Sequence, residues 1–202
     1  MLRLSLNYYN PYTLSFNASK KTADAKKASS IDDSDYHPNI KAAMKRIAKE
    51  PVEHGILFAR SGRLIKETIG DKQYPFRSEQ EEEDFNKLAE QYPGHIFLHN
   101  HPNLDKKGNP LPITYADAFK AAYHDASEAI AVHPDETFSS VKCLPNEDKF
   151  NGSSCYGFRY LLYELVSENN VDKYNEYGKC RDELWRQNEK ELGIIYTNTY
   201  NY

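Results

Sequence analysis

Cysteine is scarce in this chain and odd in number: Cys143, Cys155 and Cys180 are scattered and show no Cys-x-x-Cys spacing. That pattern excludes a disulfide framework and a cysteine-ligated metal as expectations, and the three read as reduced thiols in a cytoplasmic setting. Long apolar runs are missing too; none approaches the roughly 18 to 20 residues needed to cross a bilayer. The opening MLRLSLNYYNPYTLSF lacks the continuous apolar core of a secretory signal, so routine export is not expected. Positive charge is not in excess either. With 26 Lys and Arg against 30 Asp and Glu, the formal charge is −4, which argues against a large nucleic-acid footprint. No internal repeat is visible.

What is present fits one domain with a real core: 202 residues, 39% of them hydrophobic and 28% charged, at a mean hydropathy of −0.81. Residues 1–35 are rich in Tyr, Asn and Ser without periodicity and read as a loose N-terminal arm. Ile40, Ala43, Met44 and Ile47 then share one helical face, closed by Pro51. GILFAR (55–60) and RLIKETIG (63–70) read as strands joined through Ser61-Gly62. Ser78 and Glu81 form a capping-box pattern ahead of a helix with Phe85, Leu88, Ala89 and Tyr92 on one face, stopped by Pro93-Gly94. Strands are expected at 96–99, 129–133 and 137–143, with a helix from Thr114 to about Asp125. Helical spacing returns at Phe158, Leu161, Leu162, Leu165 and Val166, and a further helix carries Tyr174, Tyr177, Leu184 and Trp185; the closing TNTYNY reads as frayed. The fold class is α/β (α+β), a mixed central sheet flanked by helices. A core unit over 36–150 would be followed by a C-terminal helical extension over 151–202.

The stretch from His95 to Asp117 carries the chemistry. A short apolar strand delivers His99 and His101, two apart, so both imidazoles point to one face. Pro102 ends the strand, and an exposed loop over 102–113 leads to Thr114 and Asp117 at the start of an alanine-rich helix. Two imidazoles and a carboxylate make an N,N,O set suited to a zinc ion whose fourth position stays open. Each piece has a plainer reading. Thr114-x-x-Asp117 is also a helix cap, His-x-His recurs on surfaces by chance, and Glu53 alone is an acid before a strand. Their conjunction, in this order and on these elements, is the stronger signal. His37, His54, His95, His124 and His133 show no such pattern; His54 and His133 are the expected neighbours of the site.

VEHGILF (52–58), HNHP (99–102) and TYAD (114–117) together resemble the JAMM (JAB/MPN) metalloprotease family over roughly residues 38–145. The resemblance implies a cytidine-deaminase-like JAB/MPN fold and a zinc ion held by His99, His101 and Asp117. It further implies Glu53 as the general base and Thr114, where the family usually has serine, as a hydroxyl donor to the oxyanion. A carboxylate within hydrogen-bond reach of a metal-activated water supplies the proton shuttle such chemistry needs. The twelve residues between His101 and Thr114 exceed the family's usual gap. By the same resemblance the expected activity is peptidase or isopeptidase cleavage at the C-terminal tail of ubiquitin or a ubiquitin-like protein, whether inside the cell or as an effector or toxin. Two alternatives stay open: a JAMM-like scaffold used for protein binding, and a RadC-like DNA-processing relative, against which the acidic balance weighs. No membrane partner is expected.

Overall fold

A computed structural model describes residues 29–143 and 177–202. Among them, four helices flank a six-stranded mixed sheet: α1 (Pro38–Ile47), β1 (His54–Phe58), β2 (Leu64–Ile69), α2 (Glu79–Ala89), β3 (Ile96–Asn100), α3 (Tyr115–Tyr123), β4 (Glu128–Val132), β5 (Phe138–Cys143), α4 (Gly178–Leu192) and β6 (Ile194–Asn198). The strand order is β2-β1-β3-β4-β5-β6, antiparallel throughout except for the parallel β3–β4 pair, which α3 connects. A parallel pair needs such a crossover, whereas the antiparallel β1–β2 pair is closed by a short turn. Gly62 supplies the positive φ of 76° in that turn, and the His37 ring packs where its Cβ would be.

Alternation along the strands sorts the core onto two faces. Ile56, Phe58, Leu98, Ile130, Val132 and Phe138 pack under α1, against Ile40, Met44 and Ile47. The opposite face carries Leu57 with Phe76 and Phe85 near α2, and Ala129, Ala131 and Val141 under the small residues of α3 and Trp185 of α4. Alanines at 118, 121 and 122 let α3 lie close to the sheet, which brings its N-terminus over the end of β3.

Two expectations are corrected. TNTYNY is not frayed: Thr197 and Asn198 belong to β6 and pair with Ser140 and Ser139. Gly193, at φ 65°, ends α4 in the left-handed conformation and releases the chain into the Ile-Ile-Tyr-Thr-Asn strand, whose branched and aromatic residues suit a sheet. The C-terminal segment therefore completes the central sheet and is more than a helical extension. Residues 31–35 do not belong to a loose arm, because Ile31 is buried in the α1 cluster and the Tyr36 hydroxyl bonds Glu128 and Ser140 on the sheet. The helical spacing read over Phe158 to Val166, and Tyr174, lie outside the described residues. Among the described residues no helix is long and apolar enough to cross a membrane.

Candidate metal centre

The register of the sheet assembles the site. Gly55 of β1 lies opposite His99 of β3, and two residues further along each antiparallel strand come Glu53 and His101. Side chains two apart share a face, so Glu53, His99 and His101 stand on the α3 side of the sheet. Small neighbours make room for them: His99 is flanked by Gly55 on β1 and Ala131 on β4. A Cβ at Gly55 would approach the Thr68 hydroxyl to 2.9 Å and Pro75 to 3.1 Å, so close packing rather than φ requires glycine there.

His99, His101 and Asp117 can hold a metal ion, since one ligand atom from each lies within 4.8 Å of the other two. The two Nε2 atoms are 2.9 Å apart, and Asp117 Oδ2 lies 3.4 Å from that of His99 and 3.5 Å from that of His101. Bonds of about 2.0–2.1 Å in a tetrahedral site would separate ligand atoms by about 3.3 Å, so the trio matches that spacing before any ion is considered. Side-chain exposure rises from 2% at His99 through 10% at His101 to 23% at Asp117, which marks the side from which solvent reaches the group. Burial by itself would raise the Asp117 carboxyl, but the charge of His99 and the contacts of both imidazoles outweigh it and hold the group well below the usual carboxylate range.

Neighbouring groups set the orientation of each donor. His101 Nδ1 sits 2.8 Å from the Leu111 carbonyl; a carbonyl only accepts, so this nitrogen carries a proton and Nε2 is the ring atom turned to the trio. His99 Nδ1 is buried with no hydrogen-bond partner among the described residues, and its ring is fixed instead by stacking on Phe97 at 5.0 Å and 15°. Asp117 is cap and ligand candidate at once. Its Oδ2 accepts from the Thr114 N–H at 2.9 Å and the Thr114 hydroxyl at 2.5 Å, while its own N–H donates to Thr114 Oγ1 at 3.0 Å. Thr114 therefore supports Asp117, and its hydroxyl proton is committed to that carboxylate.

Glu53 stands outside the trio yet within its field. It is only 8% exposed, and its carboxyl is pushed up to about 7 by burial, with His101 pulling it down and Asp117 and Asp71 adding to the rise. Its backbone is held by the segment that follows β2: Glu53 N–H donates to the Asp71 carbonyl and its own carbonyl accepts from Gly70 N–H at 2.9 Å. Of the two histidines expected nearby, His133 is fully buried beside the trio, with Nδ1 2.9 Å from the Thr137 hydroxyl. Burial first, then the charges of His101 and His99, keep it well below the ordinary histidine range. His54 faces away, with Nδ1 2.9 Å from Glu67, whose carboxylate also bonds Arg46.

Asn100 is the residue that sequence reasoning passed over. It sits between the two histidines on the opposite face, fully buried. Its Oδ1 accepts from His54 N–H at 2.7 Å, and its Nδ2 donates to the carbonyls of Val52 at 3.0 Å and Glu50 at 3.3 Å. One amide thus pins the segment that carries Glu53 to the strand that carries both imidazoles. An asparagine whose partners lie some fifty residues upstream gives little local signal; only its polarity, on the strand face that Ile96 and Leu98 otherwise make apolar, hints at the role. Asn100→Ala is expected to lower the free energy of unfolding by about 2 to 3 kcal/mol, because it strands a buried N–H and a carbonyl. Urea unfolding checks this, and wild-type stability in the variant would mean that other contacts hold the segment.

Comparison with family models, with curated proteins and with solved structures finds no match, so the site rests on its own geometry.

Proposed function

We propose that the protein is a zinc-dependent hydrolase of amide bonds, of the JAMM type, acting as a peptidase or isopeptidase on the extended C-terminal tail of ubiquitin or a ubiquitin-like protein. The observation that carries this reading is the convergence of His99, His101 and Asp117 at ligand spacing, with the Glu53 carboxyl beside but not within the group. The sheet order and the crossover helix that starts at the end of the histidine strand are consistent with the JAB/MPN fold expected from the motifs. Two nitrogens and one carboxylate oxygen favour zinc over hard, all-oxygen cations. When bound, a zinc ion would polarise the scissile carbonyl and make water acidic enough to ionise near neutral pH.

The chain's own groups divide the remaining work. His99 and His101 would offer their Nε2 atoms to the ion, His101 with its Nδ1–H bonded to Leu111. Glu53, with a carboxyl near 7 in the metal-free protein, takes up and releases a proton close to physiological pH, as a base that later protonates a leaving amine must. Thr114 keeps Asp117 in position; for its hydroxyl to serve an oxyanion, the proton would have to swing away from Oδ2. An extended tail suits the sheet, because among the described residues β2 is an edge strand next to β1, and Glu53 immediately precedes β1. The test is cleavage of a panel of ubiquitin-like conjugates and tail peptides with and without a chelator. Turnover that the chelator removes and zinc restores is the expected result; a purified chain that takes up zinc but cleaves none of the panel would remove the proposed substrate class.

A further inference from the structure

The loop between β3 and α3 determines how the trio comes together, because it joins His101 to Thr114 and Asp117. Four consecutive carbonyls in it are all engaged. Pro110 accepts from the Tyr202 hydroxyl at 2.7 Å, Leu111 from His101 Nδ1 at 2.8 Å, Pro112 from Arg181 at 2.6 Å, and Ile113 from the Trp185 indole N–H at 2.9 Å. Three of the four donors come from the last 25 residues of the chain. Two more contacts come from the same segment: Gly178 N–H donates to Asp105 at 3.0 Å, and the Tyr200 hydroxyl to Asn109 at 3.0 Å. The approach at Gly178 is so close that a Cβ there would lie 2.2 Å from the Pro110 carbonyl.

The donors are themselves firmly set. Trp185 is fully buried and stacks on Tyr196 of β6, and Arg181 is also buried. β6 is tied into the sheet through β5, whose Ser139 hydroxyl accepts from Ile113 N–H at 2.8 Å. A loop of twelve residues with several carbonyls facing inward needs donors to hold one conformation, and here they come from a remote segment.

We propose that residues 178–202 are the positioning element of the metal-binding group: by holding the carbonyls of Pro110, Pro112 and Ile113, they set the Leu111 carbonyl against His101 and fix the start of the helix that carries Asp117. Tyr202, Trp185 and Arg181 are positioning residues, acting through the loop carbonyls they bond. The inference deepens the reading of the site as a zinc centre and rests on it.

The full chain carrying Tyr202→Phe and Trp185→Phe, which leaves an aromatic ring at each position and loses both donors, provides the test. Zinc affinity is read by competition with a chromogenic chelator, and amide hydrogen exchange is followed across the metal-free protein. The expected result is about tenfold weaker zinc binding, in the range of lost outer contacts to metal ligands. Exchange over 109–118 should quicken by about tenfold while the amides of β1, β3 and β4 keep their protection. Zinc affinity within about twofold of wild type, or exchange that quickens evenly over the whole sheet, overturns the proposal, since the first shows no support of the ligands and the second only general loosening. If the wild-type chain itself takes up no zinc, the metal reading fails, and the local exchange response alone decides whether the segment holds the loop.

Discussion

His99→Ala is expected to take bound zinc from one ion per chain to none after dialysis, and with it the whole of the zinc-dependent gain in thermal stability. Three protein donors are the minimum for a site that keeps a position open, and two cannot hold the ion against dilution. Zinc at about a hundred times its dissociation constant stabilises the native state by about 2.7 kcal/mol. In a chain of this size that is a rise of roughly 5 to 10 °C in the unfolding midpoint. Wild type should show it on adding zinc and lose it on adding a chelator; His99→Ala should show neither. Asp117→Asn sharpens the test, because an asparagine still offers an oxygen to the Thr114 N–H while removing the anionic donor. It should keep α3 in place and bind zinc at least about a hundredfold more weakly. A metal-dependent midpoint shift of wild-type size in either variant would mean that the ion sits elsewhere.

The parts of the site that lie on one short stretch were legible because strand geometry is local. His99 and His101 share a face by alternation alone, and Thr114 and Asp117 announce a helix start through their spacing; the structure places the four side chains at contact distance. Glu53 needed more, since its proximity depends on β1 pairing antiparallel with β3 in the register that sets Gly55 against His99. Only the motif order linked it to the histidines. The supports left little trace in the sequence. Asn100, Leu111 and Arg181 act through backbone carbonyls and amides, which every sequence contains, so nothing in their identity signals a partner.

The end of the chain shows the opposite error. Thr197 to Tyr202 is polar enough to read as frayed, yet β5 would otherwise expose an unpaired edge, and the tyrosine hydroxyls find acceptors in the 102–113 loop. Gly193 was the available signal: a glycine that ends a helix and is followed by two isoleucines marks a turn into a strand.

Glu53→Gln is expected to separate two properties that His99→Ala removes together. The variant should bind zinc at full stoichiometry and lose turnover by about a hundred- to ten-thousandfold, the contribution of a positioned acid–base group. It should also stabilise the metal-free protein, and the sign follows from the carboxyl's environment. Unfolded, the group ionises near 4.5; folded, it holds its proton up to about 7 because burial disfavours the charge. Between those values the unfolded chain binds fewer protons than the native one, so stability falls as pH rises through that window and stays low above it. Glutamine carries no charge to bury and escapes the loss. At pH 8 the metal-free variant should therefore be more stable than wild type by about 2 kcal/mol, allowing for partial solvent access, and at pH 4 the difference should nearly vanish. Urea unfolding at the two pH values measures it. An equal difference at both would show that the gain is one of packing, and a Glu53→Gln chain with full turnover would transfer the proton chemistry to another group.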